Sequence, residues 1–514
     1  MSKTIIIIGA GLAGLSAALQ AAENGCNVKL VSSLPSERAQ SVMAEGGINA
    51  ALNTKDENDS PEEHFTDTIK AACGLADPNA VWGMTQAAPE LVHWLLKLGV
   101  KFNMSGYDDV DLRNFGGQKK KRTAFAQSDT GKQIMTAMID AVRRKEASGM
   151  VERFSHHSFL TLRLCGNICC GCVIRDEYSQ ETVELPGDAV IVATGGMHGL
   201  FGNTTGSLSN TGEVTAELFR LGVPLANGEM IQYHPTTVKC GGKRMLISEA
   251  ARGEGGRLFA MKDGKQWYFM EEKYPELGNL MPRDITAREI WKVSHESEVF
   301  LDMTEISDEM ISNKLSGLAD DCMTYLHKDI RKEPVSVLPG IHYFMGGILV
   351  DEQHRTPIQN LYAAGECCAQ YHGANRLGGN SLLGALYGGR VAAKSACEQA
   401  DVVDLSCATQ IDFPPASQIS EIKQLNKVMQ ETMGVVRNEN TLLNGIQTVQ
   451  ALTGNLPLLG MAVLKSALAR KESRGAHWRE DYPKSNDDDY LKTTVARFDG
   501  KQIQISFVPV PERR

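Results

Sequence analysis

The apolar residues at the N-terminal end of the chain change their period within a short stretch. Ile5 to Ile8 form a continuous β-branched run, which is typical of a strand buried on both faces of a sheet. Leu12 to Ala22 then consists of good helix formers, and a second apolar segment follows. The pattern predicts a strand, a turn, a helix and a second strand over Thr4 to Val31.

Glycines stand at the change from strand to helix, where Gly9, Gly11 and Gly14 form a G-x-G-x-x-G motif. In a dinucleotide-binding unit the first glycine permits the tight turn, the second lets the backbone approach a pyrophosphate, and the third lets helix pack against strand. A signal peptide or membrane span is the alternative, but glycines interrupt the segment and no cleavage-site pattern follows. Ser32 and Ser33 stand where NAD-binding folds tend to carry an acid, which favours FAD.

The pattern also predicts later elements and a discontinuous domain. The sequence becomes more polar near Val223, and a glycine-rich, apolar composition like that of the first part returns from Ile341 to Val391. We therefore expect a second domain, inserted over roughly 222 to 338. Pro414 and Pro415 mark a linker. The other predicted elements are helical spacing over Phe65 to Leu98, a helix from Asp129 and Thr130 to about Lys145, a β meander over Phe154 to Leu185, a buried strand at Ala189 to Gly196 that returns to the first sheet, helices over Ile419 to Arg470, and a hairpin from Arg497 to Arg514.

Size and charge narrow the classes of function. The 514 residues exceed one ordinary core, and the formal net charge of -9 argues against nucleic acid or an anionic membrane as the primary partner. Local cations must therefore bind any anionic substrate. The 12 cysteines are scattered and no export signal is visible, which favours reduced thiols in a cytoplasmic protein.

Two local clusters each allow two interpretations. Cys165, Cys169, Cys170 and Cys172 suggest a metal site, but their spacing matches no usual zinc or iron-sulfur pattern and the alternating apolar residues favour a strand. The basic run Lys119 to Arg122 is typical of a solvated face, and the alternative is a docking site for an acidic electron-transfer partner.

Candidate chemistry is concentrated in four short segments flanked by Gly or Pro, which we interpret as loops. Loops on a rigid scaffold often carry functional sites. Singly, each segment has a structural interpretation, but together they suggest a pocket for a small dianion beside a flavin. The segments carry His234, Glu249 with Arg252, Arg283, and His342 with Arg376.

At these residues the chain resembles the flavoprotein subunit of the fumarate reductase and succinate dehydrogenase family, from Ile5 to about Phe507. The resemblance implies an α/β protein: an FAD-binding Rossmann-like domain (1–221 and 339–398), a mobile α+β capping domain inserted in it (222–338), and a C-terminal helical domain and tail (416–514). The motifs that carry it, in family order, are GAGLAG, AEGGINAAL, FGGQ, ATGG, QYHPTT, SEAARGEGG, PRD, HYFMGG, AAGE, GANRLGGNSL and RGAHWREDYP.

The resemblance also implies roles for single residues. His234, Ser248, His342 and Arg376 would bind the two carboxylates of fumarate or succinate, and a planar guanidinium suits bidentate binding. Family chemistry is hydride transfer from flavin N5 with proton delivery by Arg283, behind which Glu249 and Arg252 match a proton relay. The residues that match FAD contacts are Gly9, Gly11, Gly14, Ser32, Ala44, Glu45, Gly46, Gly47, Thr194, Gly195, Glu213, Glu366, Asn380, Ser381 and Leu382.

Three positions bear on the cofactor. Gln40 stands where the family often has a histidine linked covalently to FAD, so we expect noncovalent FAD. Glu213 stands where many members carry Asp. Glu45, more typical of fumarate reductases, together with the missing covalent link predicts faster fumarate reduction than succinate oxidation.

Two other functions remain as alternatives: an L-aspartate oxidase-like flavoenzyme and an inactive flavin-binding or assembly protein. The sequence shows no haem motif, no second flavin signature and no convincing iron-sulfur pattern, and we expect no metal site. Electrons must therefore come from another molecule, and the resemblance implies an iron-sulfur subunit or a soluble donor. We expect no direct membrane insertion, and a cytoplasmic location or a place on the cytoplasmic face of a membrane through partner subunits.

Overall fold

A five-stranded parallel sheet forms the centre of the computed structural model, which describes residues 2–106, 109–400, 411, 413 and 418–514. The strand order is β20-β10-β1-β2-β6. Ile5 pairs with Ala189 on one side and with Val28 on the other, and the β1 residues Ile5 to Ile8 are buried. The strands are β1 (Thr4–Ile8), β2 (Asn27–Ser32), β6 (Val151–Ser155), β10 (Ala189–Val192) and β20 (Leu361–Ala363).

The first βαβ unit forms as its pattern predicts, with α1 (Leu12–Glu23) between β1 and β2. Gly9 has a φ of +111°, and a Cβ there would lie 2.3 Å from the carbonyl oxygen of Ala193. A Cβ on Gly14 would lie 1.8 Å from the carbonyl oxygen of Gly9. The helix can therefore lie against the turn only because these positions lack side chains.

Helices cover the faces of the sheet. The predicted helical stretch over 65–98 is two helices, and the helix predicted from Asp129 begins at Thr130. The buried strand predicted at Ala189 is confirmed as β10, between β1 and β20. The helices of this part are α2 (Pro61–Ala71), α3 (Pro78–Leu98), α4 (Thr130–Ala147), α5 (Glu213–Arg220) and α11 (Asn380–Gln399).

The predicted β meander is a three-stranded antiparallel sheet of β7 (His157–Cys165), β8 (Ile168–Asp176) and β9 (Thr182–Pro186). Cys169 and Cys172 lie on β8 and pack into a hydrophobic core, so the strand interpretation of the cysteine cluster holds. Within the described ranges no group of three or more His, Cys, Asp or Glu side chains is placed to hold a metal ion. The ten other described cysteines are free thiols, as expected, whereas Cys165 is disulfide-bonded.

The region between Leu225 and Leu349 is built on short antiparallel sheets. One sheet joins β13, β12 and β18, and another joins β15, β14, β16 and β17. Its strands are β11 (Leu225–Ala226), β12 (Ile231–Cys240), β13 (Lys243–Leu246), β14 (Arg257–Lys262), β15 (Lys265–Trp267), β16 (Val299–Asp302), β17 (Val335–Ser336), β18 (Leu338–Phe344) and β19 (Gly347–Leu349). Its helices are α6 (Glu249–Gly253), α7 (Phe269–Lys273), α8 (Arg283–Val293), α9 (Asp308–Lys314) and α10 (Ser316–Asp321), followed by a π-helix over Cys322–Leu326.

The C-terminal part combines helices with the predicted hairpin, which begins at Lys492, earlier than its sequence pattern indicates. The hairpin strands extend a sheet of order β21-β19-β11-β22-β23. The predicted linker at Pro414 and Pro415 lies outside the described residues, and the domain boundaries stay predictions. The elements of this part are β21 (Cys368–Ala369), α12 (Ile419–Thr432), α13 (Glu439–Val449), α14 (Asn455–Ala469), α15 (Asp487–Tyr490), β22 (Lys492–Phe498) and β23 (Ile503–Pro509).

A small sheet in the first part of the chain joins β3 (Ile48–Asn49), β5 (Thr123–Ala124) and β4 (Leu112–Arg113).

The basic run 119–122 is not uniformly solvated. Lys119 and Lys121 are exposed, but Arg122 is fully buried and donates to both oxygens of Asp59, at 3.1 and 2.8 Å. Asp67 lies 3.0 Å from the same guanidinium. The interpretation as a solvated face is therefore wrong for Arg122, because two buried carboxylates from a distant segment neutralise its charge. No helix in the described part of the chain is long and apolar enough to cross a membrane.

Candidate active site

One cavity of about 930 Å³ runs from the glycine turn of the first βαβ unit to the cationic segments. This size is within the range of small-molecule and cofactor sites. The predicted site residues that line it are Gly9, Gly11, Ser32, Ala44, Glu45, Gly46, Gly47, Thr194, Gly195, Glu213, His234, Ser248, Glu249, Arg283, His342, Glu366, Arg376, Ser381 and Leu382.

Three predicted residues do not line this cavity: Gly14, Arg252 and Asn380. Gly14 lies behind the turn, packed on Gly9. Arg252 is buried behind Glu249 and donates to the carbonyl oxygen of Asn279 at 2.7 Å. The Asn380 side chain hydrogen-bonds to the buried side chains of Asn49, His64 and Thr68.

Most cationic and polar site residues lie on regular elements, so the loop interpretation of their segments is wrong. His234 lies on β12 and His342 on β18, which are neighbours in one antiparallel sheet, and their rings are 5.1 Å apart. Arg283 is the first residue of α8. The flanking Gly and Pro residues mark bulges and helix starts here. Of the six residues that define the four segments, only Arg376 lies outside a helix or strand.

Arg283, Glu249 and Arg252 form a buried chain of charges. Arg283 donates to Oε2 of Glu249 through Nε at 2.8 Å and through Nη2 at 2.6 Å. Arg252 donates to Oε1 of the same carboxylate at 3.2 Å, as its spacing predicts, and the backbone N–H of Gly116 also donates there at 3.2 Å. Burial raises the pKa of Glu249, but the charges of Arg283 and Arg252 hold the net value below its ordinary range. Glu249 is therefore an anion held between two guanidinium groups.

Arg376 is a buried cation without a carboxylate partner within the described ranges. Its side chain is 3% exposed, its Nε lacks a hydrogen-bond partner, and its guanidinium lies 4.3 Å from the centre of the Tyr343 ring. Burial and the charge of Arg283 lower its pKa to about 9. Burying a cation unpaired is costly, so this side chain is arranged to meet an anion in the cavity.

Both histidines of the site are neutral at physiological pH. Burial and the charge of Arg283 place the pKa of His234 and that of His342 well below the ordinary value. Nδ1 of His342 lies 2.8 Å from the hydroxyl of Thr205, and Nδ1 of His234 accepts from the backbone N–H of Thr236 at 3.3 Å. In each ring the other nitrogen, Nε2, is left to interact with a ligand.

Glu45 behaves differently from the charged carboxylate assumed in the sequence analysis. It lines the cavity, and burial together with the charge of Asp321 raises its pKa to about 8. Its Oε2 has no hydrogen-bond partner in the described part of the chain. At neutral pH the side chain is mostly protonated, so its charge can act on a flavin only in alkaline solution.

Three further cavity or support residues had no functional assignment from the sequence. Gln232 accepts from Nη1 of Arg283 at 3.0 Å, Thr205 bonds to His342, and Arg244 lines the cavity. Gln232 could have been found, because it stands two positions before His234 on a strand and residues at that spacing share a face. Thr205 and Arg244 meet the site only through tertiary structure.

The cavity fits FAD. The helices α1 and α11 both begin at its wall with a glycine N-cap, no side-chain cap and no acidic residue in the first turn. Their backbone N–H groups therefore favour negatively charged or hydrogen-bond-accepting groups of a ligand. The buried hydroxyl of Ser32 has no partner in the described structure. Gly46 and Gly47 also line the cavity, where a Cβ on Gly46 would lie 2.8 Å from Cζ of Phe115 and one on Gly47 would lie 2.5 Å from the carbonyl oxygen of Ala124.

Comparisons with known proteins agree with this cavity. An FAD binding domain model matches residues 4–382, and a fumarate reductase flavoprotein C-terminal model matches residues 452–513. The chain is 38% identical to the succinate dehydrogenase flavoprotein subunit of Bacillus subtilis, over 100% of this chain and 98% of that protein. It is 32% identical to the 8-methylmenaquinol:fumarate reductase flavoprotein subunit of Wolinella succinogenes, over 100% and 92% of the two chains.

Solved structures show the same fold. A chain of the Escherichia coli quinol fumarate reductase superposes with a TM-score of 0.90 at 27% identity, over 99% of this chain and 97% of that one. The family models and relatives therefore support FAD as the ligand of the cavity, and the solved structure supports the α/β architecture. This protein belongs to the family of FAD-dependent oxidoreductases that comprises the flavoprotein subunits of succinate dehydrogenase and fumarate reductase.

Proposed function

We propose that the protein interconverts fumarate and succinate and works mainly as a fumarate reductase. The observation that carries the proposal is Arg376, a buried guanidinium without a carboxylate partner in the described structure, beside two neutral histidines in the FAD cavity. A small dianion supplies the missing negative charge. Relatives named for succinate and fumarate chemistry support this choice of dianion.

Four residues bind the two carboxylates in this proposal. Arg376 takes one carboxylate through its forked N–H groups. His234, His342 and Ser248 donate to the substrate from the same cavity wall. Each neutral histidine has one N–H, which we place on Nε2, with Nδ1 accepting from the Thr236 N–H in His234 and from the Thr205 hydroxyl in His342. Both rings can then donate to the substrate without adding a further buried charge.

Proton delivery is assigned to Arg283. When bound, FAD supplies the hydride at N5. Arg283 lies 6% exposed in the cavity wall and is aimed by Glu249 and Gln232, so its proton can be directed at one atom of the substrate. Arginine is a weak acid, and it needs a group that restores its proton. Glu249 and Arg252 form that relay, since both guanidinium groups donate hydrogen bonds to the Glu249 carboxylate.

The direction of the reaction follows from the cofactor environment. Gln40 lines the cavity and has no imidazole to form a covalent link, so we propose noncovalent FAD. Absence of that link lowers the flavin potential and favours reduction of fumarate. The protonated state of Glu45 means that its contribution adds to this bias only above about pH 8.

Electrons come from a partner. The relatives are named as subunits, which supports an iron-sulfur subunit that receives or delivers electrons, with a soluble donor as the alternative. We propose that the chain lies in the cytoplasm or on the cytoplasmic face of a membrane through such partners. Purification of the native complex, with iron and acid-labile sulfide analysis, tests the assignment.

The proposed fumarate reductase activity is tested under anaerobic conditions. Dithionite-reduced protein is mixed with fumarate, and flavin reoxidation with formation of succinate is the expected result. L-Aspartate added to oxidised protein tests the L-aspartate oxidase alternative, since that activity reduces the flavin. A flavin that reacts with neither compound, while FAD stays bound, refutes the proposal and favours an inactive binding protein.

A further inference from the structure

A cationic hairpin lines the cavity beside the proposed dianion site. Strand β12 pairs with β13 in antiparallel fashion, with Cys240 opposite Lys243 and Lys239 opposite Arg244. The turn consists of Gly241 and Gly242, where an added Cβ would meet nothing within 4 Å. The tip of the hairpin is therefore exposed, while its second strand faces the cavity.

Both cations on that second strand lack carboxylate partners in the described structure. Lys243 is exposed and lines the cavity. Arg244 is half-buried and donates only to neutral oxygens, the hydroxyl of Thr237 at 2.6 Å and the carbonyls of Thr237 and Leu338 at 3.4 and 3.2 Å. Gly340 makes room for it, since a Cβ there would lie 2.6 Å from Nε of Arg244.

The hairpin is joined to the proposed substrate site by one short path. The backbone N–H of Arg244 donates to the carbonyl of Thr204 at 3.3 Å, and the next residue, Thr205, bonds to Nδ1 of His342 at 2.8 Å. Gly340, which accommodates Arg244, is two residues before His342 on β18. The two unpaired cations thus border the histidine side of the cavity.

Charge explains why such a feature is useful. The chain carries a formal net charge of -9, so its overall field repels dianions. Local cations at a cavity mouth reverse that field where the ligand enters and raise its association rate. We propose that Lys243 and Arg244 form a cationic entrance that steers the dianionic substrate from solvent to Arg376 and the two histidines. This inference rests on the proposed function, because it takes the substrate to be a dianion.

The simplest other account of Lys243 is a solvated lysine on a surface hairpin. Lys265 is a matched control for it, since Lys265 is exposed, follows a hairpin turn at Asp263 and Gly264, and does not line the cavity. Replacing either lysine by glutamate changes the net charge equally. Only a local effect at the entrance distinguishes them.

The test measures kcat/KM for fumarate at two salt concentrations. For a charge about 10 Å from a dianion, we expect Lys243→Gln to lower kcat/KM about threefold and Lys243→Glu about eightfold at about 10 mM salt. At about 0.15 M salt the Lys243→Glu loss shrinks to about twofold, because the screening length is about 8 Å. The value of kcat stays unchanged, and Lys265→Glu stays within about 1.5-fold of wild type.

A binding measurement gives a readout without turnover. Malonate is a dianion, and its dissociation constant, read from the flavin absorbance of the oxidised protein, rises by the same factor in Lys243→Glu. FAD content and Tm of both lysine variants match wild type, since the changed side chain is exposed. Arg244→Gln is measured as a second variant, for which we expect a loss of malonate affinity that persists at high salt.

Separate results overturn the inference and the function on which it rests. If the wild type reduces fumarate and Lys243→Glu keeps its kcat/KM within 1.5-fold at low salt, the cationic entrance is refuted. The same holds if Lys265→Glu loses as much as Lys243→Glu. A wild type that does not reduce fumarate refutes the proposed function instead.

Discussion

Replacing Arg283 by lysine tests the proposal that this residue delivers the proton while other residues bind the substrate. The native guanidinium donates three hydrogen bonds, two to Oε2 of Glu249 at 2.8 and 2.6 Å and one to Gln232 at 3.0 Å. Lysine keeps the charge but offers a compact ammonium on a flexible stem. It can keep one bond to Glu249 and loses the fixed direction that two anchoring acceptors impose.

The hydrogen bonds of Arg283 give the expected size of the loss in rate. Loss of one charge-assisted bond to Glu249 and of the bond to Gln232 removes about 3–6 kcal/mol of the interactions that orient the side chain, since each such bond is worth about 1.5–3 kcal/mol. In a barrier this corresponds to about 10²–10⁴-fold in rate, the same range as the loss of a positioned proton donor. We therefore expect kcat for fumarate to fall by about 10²–10⁴-fold. Malonate affinity changes by less than about threefold, because Arg376 and both histidines remain.

The assay combines stopped-flow reoxidation of reduced flavin by fumarate with a malonate titration of the oxidised protein. Arg288→Lys is the matched control, since Arg288 lies on the same helix, stacks 4.0 Å from the Trp478 ring and does not line the cavity. We expect near wild-type rates from it. An Arg283→Lys protein with near wild-type kcat shows that Arg283 is a structural cation and refutes the mechanism.

The remaining predictions concern the cofactor. Acid denaturation releases FAD into a yellow supernatant because Gln40 cannot hold it covalently; flavin fluorescence that stays with the polypeptide on a denaturing gel contradicts this. Glu45→Gln leaves the flavin potential nearly unchanged at pH 7, because Glu45 is protonated there. Above the Glu45 pKa of about 8, the variant's flavin potential is higher than that of wild type by about 30 mV, as measured by spectroelectrochemistry. An equal shift at pH 7 and pH 9 contradicts this prediction. Gly14→Ala places a Cβ 1.8 Å from the carbonyl oxygen of Gly9. We expect this variant to contain less FAD and to lose about 1–3 kcal/mol of the free energy of unfolding, measured with denaturant. Gly434→Ala is the control, because its Cβ has no atom nearer than 3.6 Å, and we expect neither effect from it.

The sequence was most informative where a local pattern determines local structure. The strand, glycine turn and helix of residues 4–31, and the contact between Glu249 and Arg252 on one helical turn, follow from spacing alone. Arg122 shows the opposite case, because its burial depends on Asp59 and Asp67, which no local pattern connects to it. The loop interpretation of His234 and His342 failed for the same reason, since their strands pair across about a hundred residues of chain.

The raised pKa of Glu45 was also beyond the sequence. A glutamate in a glycine-rich turn is normally exposed and charged. Its environment depends on Asp321, which a separate helix brings to the cavity. Glu45 lines the cavity, and only the three-dimensional structure gives its protonation state.

The order of strands in the central sheet has a consequence for synthesis on the ribosome. Strand β10 ends at Val192, but its outer neighbour β20 begins at Leu361, so residues 193–360 emerge between them. At about 5–20 residues per second this takes roughly ten to thirty seconds. During that time β10 is an unprotected, wholly apolar edge strand, the kind of segment that pairs with other chains. The nascent chain is therefore open to wrong pairing in this interval, and a chaperone that covers the β10 edge would protect it until the sheet is complete.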